Sequence, residues 1–99
     1  MADDLNAKKT KKFRGPGSSQ KKAVTVPDVE AEYLFIRERF GDKAHVVTQE
    51  LVISQERHYD LLTVALPDEG GQVELWFDIT EYWAEHEKRL AEWRSDRAK

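Results

Sequence analysis

The side chains most able to do chemistry in this sequence are a histidine and two aspartates. His58 and Asp60 are close neighbours in the chain, and Asp78 follows one predicted strand later. A histidine beside paired carboxylates can exchange protons or bind a cation. The same aspartates can instead accept hydrogen bonds from the free N–H groups at the start of a helix. We favour capping for this polar corner (His58, Asp60 and Asp78), because it needs no further assumption.

Several other kinds of site are excluded by residue type or spacing. The chain has no Cys, which excludes disulfides, thiolate metal sites and thiol nucleophiles. His45 and His58 flank a predicted strand and lie too far apart to share one ion, whereas His86 falls on a helix. The sequence contains neither a glycine-rich phosphate loop nor a Gly-x-Ser-x-Gly elbow. We therefore predict no metal, no cofactor and no enzymatic activity.

The net charge of −3 is divided unevenly along the 99 residues. Residues 1–23 hold seven basic and two acidic side chains, a net +5, which leaves −8 for the other residues. This segment has two large apolar side chains and a Gly-Pro-Gly-Ser-Ser run, so it cannot bury enough surface to offset the entropy of ordering. We predict a disordered tail over 1–23 and one domain over 24–99. The basic arm within the tail consists of Lys8, Lys9, Lys11, Lys12 and Arg14.

The basic arm has two interpretations. Its cations can bind phosphate, nucleic acid or an acidic protein surface. Alternatively, the arm keeps the protein dissolved or folds back onto the acidic domain of its own chain. We favour the second interpretation because short basic runs are common, and we keep nucleic-acid binding through the arm as the alternative.

The domain that must position these side chains is predicted to be a helix, three strands and a helix. Pro27 suits the first turn of a helix and Gly41 a helix end, with apolar residues at steps of three and four between them. Three stretches with β-branched or alternating apolar residues follow. The predicted helices cover 28–40 and 80–94, and the predicted strands cover 45–55, 59–66 and 72–79.

Short turns between these strands predict a three-stranded antiparallel meander. The turn lengths place Val47, Leu62 and Leu75 on one shared face with the other most apolar strand residues. Each helix carries one apolar stripe, so laying both helices on that face closes a two-layer core. The predicted class is α+β with the order αβββα, preceded by the disordered basic tail.

The opposite face of the predicted sheet keeps apolar side chains partly exposed, namely Val52, Leu61 and Trp76. A patch of this kind on a small domain is typical of a partner surface or a homodimer contact. Alternatively, the tail or residues 24–27 cover it. The leading hypothesis is a non-catalytic interaction module that meets another protein, or a second copy, through this patch or through its acidic helical face. A small metal-binding protein or enzyme using the polar corner is a further alternative.

The order of helix, three-stranded sheet and helix over residues 28–94 resembles that of the double-stranded-RNA-binding domain. That family grips phosphates with a lysine cluster at the start of its second helix. The matching stretch here carries Asp78, Glu81, Glu85 and Glu87, with no basic residue before Lys88. Four carboxylates repel the RNA backbone, so the resemblance implies the element order and not binding of duplex RNA.

The expected location follows from what the chain lacks. No apolar stretch approaches the ~20 residues that span a bilayer. The first residues contain no apolar core of the kind found in signal peptides. We expect a cytoplasmic protein that does not bind membranes.

Overall fold

The computed structural model describes residues 10–85, which build a mixed sheet with its helices on one face. A short 3-10 helix, Gln20–Lys22, lies between the first two strands. The elements in chain order are β1 (Thr10–Lys11), β2 (Val24–Thr25), α1 (Val29–Phe40), β3 (His45–Ser54), β4 (Arg57–Ala65), β5 (Gln72–Asp78) and α2, which begins at residue 80. The predicted continuation of α2 to residue 94 lies outside the described residues.

The predicted antiparallel meander is confirmed: β4 pairs with β3 on one side and with β5 on the other. The first turn is tighter than expected, because Gln55 and Glu56 alone connect β3 to β4, both with positive φ (52° and 65°). Left-handed backbone at both positions is what a two-residue hairpin requires. Gly70 and Gly71 supply the positive φ of the second turn without the cost that a side chain would add.

The core lies between the sheet and the helices, as the alternating pattern predicts. Opposed pairs on the inner face, the face that the helices cover, include Leu62 with Leu75 and Val64 with Val73, and all four side chains are buried. Phe35 of α1 packs edge-on against Phe77, with ring centroids 5.6 Å apart. Burying each such side chain contributes roughly 1.5–3 kcal/mol to folding. The α+β class with both helices on one face is therefore confirmed.

Helix α1 begins and ends where the sequence predicts, but it is rotated from the predicted face. The carboxylate of Asp28 accepts a hydrogen bond from Ala31 N at 2.8 Å, and Gly41 ends the helix with φ 100°. The predicted stripe at steps of three and four consists of Val29, Tyr33, Ile36 and Phe40. Of these, Tyr33 is 48% exposed, whereas the neighbouring Glu32 is only 2% exposed. The helix thus buries a carboxyl group where the pattern predicts an aromatic ring.

The register of β3 also differs from the prediction. The pairing shifts between Val46 and Thr48, which is a β-bulge. Because a one-residue slip exchanges the two faces, Val46 packs against the core and Val47 is 47% exposed. Val47 therefore does not share the inner face as predicted.

The stretch from residue 10 to residue 23 differs from the predicted disordered tail, because in the structure it runs along β5. Both β1 and β2 pair with β5 in parallel, and the carbonyl of Gly17 accepts a hydrogen bond from Trp76 N at 2.8 Å between them. The only large apolar side chain here, Phe13, packs edge-on against Phe40 at 5.4 Å, and backbone groups at an open strand edge can order the rest of a polar segment. Residues 1–9 lie outside the described residues.

Candidate functional site

The predicted polar corner is divided between the two faces of the sheet. Asp60 pairs with Phe77, whose side chain lies in the core, whereas Asp78 pairs with Tyr59. Successive side chains alternate between faces, so Asp60 lies on the inner face and Asp78 on the outer face. The two carboxylates therefore do not form one site.

Asp78 makes the contacts expected of a capping residue. One of its carboxylate oxygens accepts hydrogen bonds from the hydroxyl and the N–H of Thr80, at 2.6 and 3.1 Å, at the start of α2. The other oxygen accepts two bonds from the Arg57 guanidinium, at 2.8 Å each. Partial burial alone would raise the pKa of Asp78, but the bonds from Thr80 and Arg57 outweigh it and lower the pKa. The carboxylate of Asp78 thus connects β5 to β4 through Arg57 and to α2 through Thr80.

His58 lies at the start of β4 and contacts α2 rather than a second ionisable group. Its ring stacks on that of Trp83, with centroids 5.4 Å apart, and its backbone N–H donates to Thr80 Oγ1 at 3.0 Å. Within residues 10–85, no group of three or more His, Asp or Glu side chains could hold a metal ion. The geometry around His58 is that of a packing residue at a helix–strand junction.

Asp60 belongs to a buried carboxyl cluster that the sequence did not reveal. It accepts hydrogen bonds from Gln49 Nε2 at 3.0 Å to each oxygen, and it is hydrogen-bonded to Glu32 of α1. The hydroxyl of Tyr82 donates to Glu32 at 3.5 Å. The carboxyl cluster is therefore Glu32, Gln49, Asp60 and Tyr82, and it joins both helices to β3 and β4.

Glu32 is held in its protonated form within this cluster. Burial, followed by the hydrogen bond to Asp60 and its negative charge, raises the pKa of Glu32 to about 9. Burial also raises the pKa of Tyr82, so its hydroxyl stays a donor. One proton thus lets two carboxyl groups share a site where two charges would repel. Glu32 could have been found from its spacing, since it lies four residues before buried Ile36 on the same helical face.

A cleft opens above the carboxyl cluster, between the starts of the two helices and β3. It consists of two hollows of about 500 and 340 Å³ that share Val29 and Tyr82. Val29 and Leu51 are exposed here, at 46% and 41%. The cleft is mainly apolar, with Pro27, Val29, Leu51, Ile79, Tyr82 and Trp83 in its walls and carboxylates at its rim.

Strand β3 forms an edge of the sheet, and we refer to its unpaired side as the open edge. It is ten residues long and pairs with β4 alone among the strands that the structure describes. Ile53 is 62% exposed, the largest value among the exposed apolar side chains of residues 10–85, and Val47 and Leu51 are also exposed. An edge strand with apolar side chains and free backbone groups can pair with another strand.

The sequence predicts an outer patch that consists of Val52, Leu61 and Trp76. These side chains lie on the same face of the sheet, and each is only partly exposed. Leu61 pairs directly with Trp76, and Val52 pairs with Tyr59. The Tyr59 ring packs edge-on against Trp76 at 6.0 Å and is itself buried. All three predicted residues are partly buried, and none of them is among the exposed large apolar side chains.

The basic arm is described from Lys11 onward, and Lys8 and Lys9 lie outside the described residues. Lys12 and Arg14 are exposed. Lys11 donates to the carbonyl of Glu69 at 3.1 Å and lies 4.0 Å from its carboxylate. This contact is of the kind expected if the arm folds back onto its own acidic domain.

Two further findings bear on the function. No family model, curated protein or solved structure matches it. Within residues 10–85, no helix has the length and apolar character to cross a membrane. The function is therefore inferred from the geometry of the open edge, the cleft and the carboxyl cluster.

Proposed function

We propose that this protein is a non-catalytic interaction module that self-associates by antiparallel pairing of β3 with β3 of a second copy. The observation that carries the proposal is the open edge with its exposed Leu51 and Ile53. Adding a strand would satisfy the free backbone groups of β3 and remove these side chains from water. A two-fold symmetric pair uses the same surface on both copies and closes after two.

The composition of β3 supports this use of the edge. Natural edge strands are commonly protected from pairing by lysine, proline, inward-pointing charges or β-bulges. Strand β3 contains no Lys and no Pro, and its only ionisable residues are His45 and Glu50. The bulge between Val46 and Thr48 distorts the first part of the strand. The regular part, from Thr48 to Ser54, is the stretch available to a partner.

The symmetry of a β3–β3 pair can be deduced from its charges. A two-fold axis through Glu50 would place the Glu50 carboxylates of the two copies directly opposite each other, which is destabilising. An axis through Leu51 opposes the two Leu51 side chains, places Glu50 opposite Val52, and places Gln49 opposite Ile53. Both arrangements keep the inner faces of the two sheets on the same side, so the charges decide between them. We therefore place the axis at Leu51.

The test is the mass of the full chain in solution as a function of concentration, by light scattering or sedimentation. We expect a shift from monomer to dimer. Replacing Ile53 with Lys opposes the association by placing a charge in the contact, and should weaken it at least about tenfold. Leu34→Lys is the matched control, since Leu34 is 50% exposed on α1, away from the edge.

Three outcomes separate the possible contacts. A chain that stays monomeric at all concentrations contradicts the proposal. Equal weakening by Ile53→Lys and Leu34→Lys would mean that the edge is not the contact. If Trp76→Glu abolishes association while Ile53→Lys leaves it intact, the second copy meets the outer patch instead.

A further inference from the structure

The cleft between the helix starts has an apolar wall that nothing in residues 10–85 covers. Its two hollows join at Val29 and Tyr82, and their volumes lie in the range of protein binding sites. Val29 and Leu51, on opposite walls, are nearly half exposed. A single side chain inserted between them would contact both helices and the sheet.

The rim of the cleft is acidic throughout. Asp28, Glu30, Glu81 and Glu85 line the larger hollow, and Asp60 lies in the smaller one. Neither hollow is lined by a Lys, Arg or His side chain. Acidic residues are favoured near helix N-termini, and this accounts for the presence of some of them. It does not account for an exposed apolar wall between them.

The balance of charge at the rim is clearly negative. Two helix N-termini meet here, and each is equivalent to roughly half a positive charge. The four rim carboxylates exceed that positive charge several-fold, so the cleft attracts cations. Its floor offers few free polar groups, because Asp60 is hydrogen-bonded to Gln49 and Glu32. An occupant must therefore be recognised through charge at the rim and apolar contact in the middle.

We propose that this cleft binds a partner segment rich in Lys or Arg that carries an apolar side chain between its charges. The apolar side chain fills the space between Val29 and Leu51, and the flanking cations reach the rim at Glu30 and Glu81. Long basic side chains suit this arrangement, since their methylene stems lie on apolar surface while their charged ends stay in water. Rim charges of this kind set the rate and salt dependence of binding and select against acidic partners.

The test uses the ¹⁵N-labelled full chain and a heptapeptide of alternating Lys and Leu. We expect amide shift changes concentrated at Val29, Leu51 and Trp83, and weaker binding at higher ionic strength. A heptapeptide of alternating Glu and Leu has the same apolar content and should not bind. The proposal is overturned if the acidic peptide binds equally well, or if the basic peptide causes no shifts at millimolar concentration.

Two pairs of substitutions distinguish the effect of the rim carboxylates on binding from the effect of the protein's overall charge. Glu30→Gln with Glu81→Gln removes two rim charges and should weaken binding about fivefold. Glu38→Gln with Glu74→Gln changes the net charge equally at two exposed positions that line neither hollow, and should leave the affinity within error. Equal loss in both pairs would overturn the assignment to the cleft. Neither pair alters β3, so the concentration-dependent mass should not change with either.

Discussion

At the scale of single residues, the buried carboxyl group of Glu32 is one source of pH dependence in the stability of the fold. The pKa of Glu32 rises from an ordinary 4.5 to about 9 in the folded protein, first because of burial and then because of Asp60. The folded state therefore holds a proton that the unfolded state has lost. This contribution to stability is complete below pH 4.5 and disappears as pH rises through about 9.

Replacing Glu32 with Gln removes this pH dependence while keeping the shape and the neutral form of the side chain. The free energy of unfolding should be higher in the variant by on the order of 3–4 kcal/mol at pH 7. The difference should grow by roughly 1.4 kcal/mol for each pH unit between 5 and 9. Urea unfolding at a series of pH values measures it. A difference that stays constant with pH would mean that Glu32 is ionised in the folded protein.

At the scale of elements, Gly17 tests whether residues 10–23 belong to the folded domain. Its φ is 86°, and a Cβ added there would come within 2.9 Å of Leu75 in the core. Gly15 also has a positive φ, 104°, but a Cβ there would meet no atom within 4 Å. A side chain at either glycine would therefore strain the backbone at a positive φ. Only at Gly17 would it also collide with a core side chain.

Gly17→Ala should lower the free energy of unfolding by about 2–4 kcal/mol, and Gly15→Ala by about 1–2 kcal/mol. The larger loss at Gly17 reflects a steric contact with Leu75 in addition to the strained φ. Thermal unfolding of both variants provides the comparison. Equal losses would indicate that the segment does not lie against β5 as the structure has it.

The elements also show which features the sequence predicts and which it does not. Alternation in β4 and β5 predicted the meander because both strands have one face in the core and one outside it. The bulge at Val46 was not predictable, since it leaves no mark on an apolar run. The rotation of α1 was missed because a protonated Glu32 packs like an apolar residue. The pairing of β1 and β2 with β5 depends on backbone groups, which side-chain patterns do not report.

At the scale of the whole molecule, the two edges of the sheet differ in whether other strands cover them. Strands β1 and β2, with Gly17 between them, cover β5 along one edge, whereas β3 is open at the other. A sheet with one long open edge can pair once, and then only the short, interrupted edge of β1 and β2 is left, which limits assembly to a dimer. Covering β5 is thus a structural role for residues 10–23, separate from the charge of the basic arm.

Deleting residues 1–23 should convert this closed association into an open one. The truncated chain keeps β2 on the end of β5 but exposes residues 72–76 of β5 as well as β3, so each copy can pair twice and the assemblies lengthen as concentration rises. Lys11→Gln with Lys12→Gln and Arg14→Gln in the full chain is the control, because it removes charge and keeps the backbone on β5. We expect sedimentation to show large species for the truncated chain, and for the control the same dimer as for the unmodified protein.

If the control also forms large species, then charge and not the covered edge limits the assembly. If the truncated chain stops at a dimer, β5 is not competent to pair, and the difference between the two edges must lie in the side chains of β3.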